Sequence, residues 1–205
     1  MPRGKYVVIE GNDGTGKSTQ VELLAAHLNE QGIATFVMHE PAGTPISDAI
    51  REVILNGDLE RGAATNVLLF TACRHENWNQ ARTQLEAGKW VISARNYIST
   101  EVYQGVGEGF NIDTIHSLTR QFTDDLYMQP DYTFVLHLTE EEREKRIAAR
   151  GELKNKDTFE SRGREFQSIL DNGYIAIAEK YGFQPIDAAR SIDDIQAEIR
   201  QLVNL

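Results

Sequence analysis

Apolar positions along this 205-residue chain fall into two alternating patterns. Short continuous runs at Tyr6–Glu10, Ala34–His39, Trp90–Ala94, Tyr132–Leu138 and Phe183–Asp187 have the length and side-chain character of buried strands. Between them, apolar residues recur at helical spacing. Val21, Leu24, Ala25 and Leu28 form one stripe, closed by Gly32; Ile46, Ile50, Val53 and Ile54 form another; Ile112, Ile115, Leu118 and Phe122 form a third. Ser191 and Asp194 read as a capping box opening a last helix, with Ile192, Ile195, Ile199 and Leu202 on one face. Thr139 and Glu142 read as a second such box, with a helix through Arg146. Strands alternating with helices predict βαβ crossovers, hence an α/β fold of three layers with a mostly parallel five-stranded sheet flanked by helices. No repeat, low-complexity tract or linker divides the chain, so residues 1–205 read as one domain.

One segment carries chemistry that the pattern does not require. The run Gly11-Asn12-Asp13-Gly14-Thr15-Gly16-Lys17-Ser18-Thr19 matches the P-loop pattern G-x-x-x-x-G-K-[ST] at Gly11, Gly16, Lys17 and Ser18. It sits between a strand-like run and a helical stripe, the context that the motif needs. Glycines let successive backbone N–H groups point at phosphate oxygens, and the helix N-terminus adds its positive end. Lys17 is placed to neutralise the outer phosphates and the Ser18 hydroxyl to ligate Mg²⁺. The competing reading is a glycine-rich turn without ligand. The motif in this context predicts a nucleoside triphosphate site.

Composition narrows the classes. A net charge of −10 argues against a broad nucleic-acid footprint or an anionic membrane surface. No apolar run approaches membrane-spanning length, and no signal-peptide pattern opens the sequence. Cys73 is the single cysteine, which excludes an intrachain disulfide and fits a reducing cytoplasm. It reads as a small helix residue, not a catalytic thiol. The five histidines show no zinc-ligand spacing. From Glu140 to Glu165, eight Lys or Arg of the chain's 21 accompany eight carboxylates. This is either a solvated charged helix and loop or, in a phosphoryl-transfer enzyme, a lid whose cations close over the triphosphate.

Later segments address the second substrate. The P-loop, "EPAGTPISDAIREVIL" from Glu40, "LLFTACRHEN" from Leu68, "RNYISTEVYQG" from Arg95 and "ARGELK" from Ala149 occur in an order and spacing that resemble thymidylate kinase over nearly the whole chain. The resemblance implies a P-loop nucleoside monophosphate kinase fold with a lid near 140–165. It implies transfer of the ATP γ-phosphoryl group to dTMP, with Mg²⁺, in a homodimer. It also assigns residues. Phe70 would stack on thymine, its plain alternative being one more helix core residue. Arg74, one turn on, would donate to a thymine carbonyl; the alternative is a surface ion pair with Glu76 or Asp48. Thr100 would address the ring nitrogen, Tyr103 would pack on the sugar, and Gln104 would complete that loop. Phe36 would add a pocket wall, and Glu40 is counted among the substrate-binding residues. Arg95 and Arg51 would hold the monophosphate, with Arg95 counted among the catalytic groups. Asp13 would reach the 3′-hydroxyl or merely brace the P-loop. "IDAARS" from Ile186, with Arg190, would cover the adenine. Position 14 is Gly where part of the family places an arginine, so the catalytic cation is expected in the lid: Arg150 first, Lys154 and Lys156 behind it.

One departure stands out. Where the family reads Asp-Arg at the end of the third main strand, this chain reads Ala94-Arg95. Three explanations stay open: an inactivated sequence, a variant using another carboxylate such as Glu40 or Asp13, or altered chemistry. Ala94 allows a rival function, a nucleotide-binding regulator with little turnover; the outer wall of the base pocket, which the sequence does not spell out, allows another, a kinase for another or modified deoxynucleoside monophosphate.

Overall fold

In the computed structural model, residues 2–150, 158–159 and 162–204 are described, the Arg150 side chain excepted. Five strands form one sheet: β1 (Tyr6–Gly11), β2 (Thr35–His39), β3 (Trp90–Ala94), β4 (Tyr132–His137) and β5 (Gln184–Asp187). Every neighbouring pair is parallel, and the order is β2-β3-β1-β4-β5. Thus the expected α/β architecture is present, and each strand lies within one or two residues of its apolar run. β1 is buried at all six positions, as a central strand covered on both faces must be.

Helices α1 (Lys17–Glu30), α2 (Pro45–Leu55), α3 (Ala63–Glu86), α4 (Tyr97–Thr100), α5 (Ile112–Phe122), α6 (Asp125–Met128), α7 (Glu140–Arg150), α8 (Arg164–Tyr181) and α9 (Ile192–Leu202) fill the connections. Two cores result. Val7, Ile9, Ile92, Ala94, Phe134 and Leu136 pack under α1 and α9, while Val8, Val91 and Val135 pack under α3 and α8 with Trp78, Leu85, Leu170 and Tyr174. Caps stop and start these helices as the sequence suggests. The Ser191 side chain accepts from the Asp194 backbone N–H, and the Thr139 hydroxyl accepts from that of Glu142 at 3.3 Å. The helix opened by Thr139 continues to Arg150, beyond the expected Arg146.

Two features depart from the sequence reading. A π-helical turn, Glu101–Gly107, follows α4 directly; helical periodicity gives no warning of such a turn, which is often found at functional sites. The apolar stripes are also wider than the core they face. Ile46, Val53, Phe122 and Ile192 are exposed, as is Leu68 on α3.

Candidate active site

The cleft opens at the C-terminal ends of the strands beside β1, where strand order reverses, the usual ligand position in a doubly wound sheet. Its volume is about 650 Å³, and P-loop residues Asp13, Gly14, Gly16, Lys17, Ser18 and Thr19 line one end. The loop's backbone needs its glycines. Gly11 has φ 140°, and a Cβ there would stand 2.3 Å from the Leu136 carbonyl oxygen. At Gly14 (φ 85°) a Cβ would approach Ile147 of α7 to 3.2 Å, so α7 packs directly on the phosphate loop and leaves little room for a larger residue there.

Asn12 is the centre of this loop. Its carbonyl accepts from Lys17 Nζ and Thr15 Oγ1, each at 2.8 Å. Its side-chain Nδ2 donates to Asp171 Oδ1 at 2.7 Å and Gln167 Oε1 at 3.1 Å on α8, while its Oδ1 accepts from Tyr103 at 2.9 Å. Asp171 in turn faces Arg143 of α7 at 3.4 Å, with both groups largely buried. Burial raises the Asp171 pKa despite the Asn12 and Arg143 contacts.

Arg95 follows β3 with φ 72°, a left-handed conformation that few non-glycine residues adopt. Its carbonyl accepts from Ser93 Oγ at 2.6 Å, and its guanidinium donates to Ser99, Tyr174 and, at 2.5 Å, Asp13. Burial pushes the Asp13 pKa up, but Arg95 and Lys17 outweigh it and hold the carboxyl at about 2. Asp13 thus braces the loop and is ionised at neutral pH.

At the opposite end Arg74 is 1% exposed. Its Nε lies 3.3 Å from Glu40 and donates to Tyr127 at 2.9 Å, and its Nη2 donates to Thr100 at 2.8 Å. The surface pairs with Glu76 or Asp48 are therefore not formed; Glu40 is the partner. Burial raises the Glu40 pKa against the opposing effects of Arg74 and Tyr127. Arg74 Nη1 and both amide atoms of Gln104 are buried without hydrogen-bond partners among the described residues, a costly state that a bound polar edge would relieve. Phe70, Thr100, Tyr103 and Gln104 line the same end. Tyr103 and Gln104 stand on the π-helical turn, which is why the turn matters.

Arg51 lines the cleft and is exposed, and no hydrogen bond or ion pair holds it among the described residues. Phe36 is not brought into the cleft. It shares a face of β2 with Met38, packs on the α3-side core, and borders a separate small hollow. It stands four residues before Glu40, roughly 13 Å along an extended strand. Arg190 also lies outside the cleft lining, its guanidinium held by Glu198 and the Asp187 carbonyl. Lys154 and Lys156 lie outside the described residues. Ser99, Asn96, Arg146 and Phe159 line the cleft but were not singled out from the sequence. Arg146 donates to the Ala188 carbonyl at 2.7 Å, linking α7 to the loop expected over the adenine; its place in a charged helix gave no separate signal. Cys73 is buried and its thiol is pushed up by burial to about 12, as an inert residue should be.

Comparison with known proteins gives one result throughout. The profile of the family described as thymidylate kinase matches residues 9–199. A thymidylate kinase of Exiguobacterium sibiricum is 36% identical over 200 residues, covering 96% of this chain and 92% of that protein. One from Pseudomonas syringae pv. tomato is 37% identical over 204 residues, covering 98% and 95%. The crystal structure of thymidylate kinase from Ehrlichia chaffeensis superposes with a TM-score of 0.75 at 25% identity, covering 99% of this chain and 100% of that one.

Proposed function

The chain belongs to the thymidylate kinase family, and we propose that it transfers the γ-phosphoryl group of ATP to dTMP, giving dTDP and ADP. The observation that carries this reading is one cleft with a P-loop at one end and unpartnered, buried Arg74 Nη1 and Gln104 amide atoms at the other. A pyrimidine imide edge offers C=O, N–H and C=O. A guanidinium can only donate and so suits a carbonyl, whereas an amide can both donate and accept. Phe70 supplies the apolar face for the base, and Thr100 and Tyr103 bound its edge and sugar.

Arg95 and Arg51 hold the acceptor phosphate, and Asp13, ionised beside Arg95, would meet the acceptor sugar. An acceptor phosphate oxygen attacks the γ-phosphorus. One P–O bond forms, the bridging β–γ bond breaks, and ADP leaves. That oxygen is already ionised near neutral pH, so no general base is required. The chain's contribution is alignment and charge neutralisation by Lys17 and the loop amides. We assign further cation charge to the lid, with Arg150 first, and the adenine to the 186–191 loop with Arg146.

Ser18 opens α1 on the cleft wall and would hold Mg²⁺, which keeps several waters and needs few protein ligands. When bound, Mg²⁺ would neutralise charge on the β- and γ-phosphates. No helix among the described residues is long and apolar enough to cross a membrane. The buried, protonated Cys73 suits a cytoplasmic enzyme, and the exposed apolar residues of α2, α3 and α5 support a homodimer. The test is steady-state turnover with ATP, Mg²⁺ and a panel of deoxynucleoside monophosphates. The reading expects dTMP to lead, dUMP to follow and dCMP to fail; preference for an amino-bearing base would contradict the assignment of Arg74 and Gln104.

A further inference from the structure

Ala94 ends β3 on the cleft wall without offering a polar atom, at a corner where P-loop enzymes commonly add a carboxylate to the metal shell. The nearby carboxylates are committed elsewhere. Glu10 is fully buried and accepts from the Asn96 and Ser99 backbone N–H groups at 2.8 and 3.1 Å and from Ser99 Oγ at 2.7 Å. Asp13 is held by Arg95 and Tyr103, and Glu40 by Arg74 and Tyr127.

A further group with lone pairs lies beside Ala94. His39 pairs in register with Ala94 across β2 and β3. It lies two residues beyond Val37, so it shares the face on which Val37, Ile92 and Ala94 meet α1. Its ring lines the cleft together with Ser18 and is 38% exposed. Its Nε2 stands 3.8 Å from Glu22, one turn beyond Ser18 on α1. Ser18, His39 and Ala94 thus line one cleft, with Glu22 beside His39.

We infer that His39 is the side chain that meets the donor's metal–phosphate centre at the corner where Ala94 supplies no carboxylate. This rests on the P-loop's reading as the ATP site. An imidazole nitrogen in place of a carboxylate oxygen favours metals such as Co²⁺ relative to Mg²⁺, so the inference is one of metal preference as well as position.

The test uses the intact protein with the β,γ-imido analogue of ATP, titrated with Co²⁺ and followed by calorimetry and visible absorption. His39→Ala is expected to weaken Co²⁺ binding to the protein–analogue complex about 10–100-fold, to affect Mg²⁺ less, and to leave metal-free analogue binding unchanged. Unchanged Co²⁺ affinity and spectrum in His39→Ala would overturn the inference while leaving the P-loop reading intact. Failure of the unmodified protein to bind the analogue at all would overturn both. Should His39→Ala misfold, Mn²⁺ added to the unmodified protein with the analogue still decides: the His39 ring protons are expected to broaden before those of His75 and His116. Equal broadening would overturn the assignment.

Discussion

Removing the Arg74 side chain breaks two things at once, because the guanidinium both faces the cleft and compensates buried Glu40. Arg74→Met is therefore expected to lose about 3–5 kcal/mol of stability at neutral pH, the usual cost of stranding one partner of a buried pair, besides losing discrimination for dTMP. Because the Glu40 pKa is already raised, its protonation relieves the stranded charge, so the deficit should shrink as pH falls toward the carboxylate range. Denaturant unfolding across pH checks this; a small, pH-independent loss would contradict it. Asp13 behaves in the opposite sense. Its pKa is depressed from 3.8 to about 2, so its contribution is complete above the ordinary carboxylate range and is lost as pH falls toward 2. The side chain is 30% exposed, so solvent limits the effect, and Asp13→Asn should cost about 1–2 kcal/mol near pH 6 and converge with the parent below pH 2. Lys17→Ala should leave the fold intact and lower kcat about 10²–10³-fold, the scale for losing a preorganised electrostatic contact.

Among elements, α8 ties the phosphate loop down through Asp171 and Gln167 on Asn12. Asp171→Ala is expected to raise KM for ATP and cost about 1–3 kcal/mol, the penalty for an orphaned buried donor. Asp171→Asn, which keeps an acceptor for Asn12, should recover most of the KM. Equal KM values for the two variants would show that the loop does not depend on this contact. These links join residues more than 150 positions apart, and no local pattern encodes them. What local pattern does encode was legible: β1 as an apolar run, the P-loop by its glycine spacing, and the Ser191 and Thr139 caps by their side chains. The π-helical turn under Tyr103 and Gln104 was not, because its residues have no distinguishing period.

For the whole molecule, the apolar stripes of α2 and α5 mark helix faces, yet Ile46, Val53 and Phe122 on them face outward in the single chain, as does Leu68 on α3. Periodicity identifies a face as apolar without saying whether it meets its own sheet or another chain. If these residues form the homodimer face, Leu68→Glu should shift sedimentation from dimer to monomer; an unchanged dimer would place the interface elsewhere. The cleft was legible to a similar extent. Its phosphate end followed from the motif, and its acceptor end from the resemblance, but the partner of Arg74 did not. Phe36 borders the neighbouring hollow and not the cleft, because sequence order does not reveal which residue of an edge strand reaches past the sheet. The central claim is that both ends of this cleft serve one transfer. It is tested most directly by single-turnover reaction of purified protein with γ-labelled ATP, Mg²⁺ and dTMP. The account predicts label in the β-phosphate of dTDP at the rate ADP forms. Label appearing only as inorganic phosphate, or remaining in ATP, would contradict it.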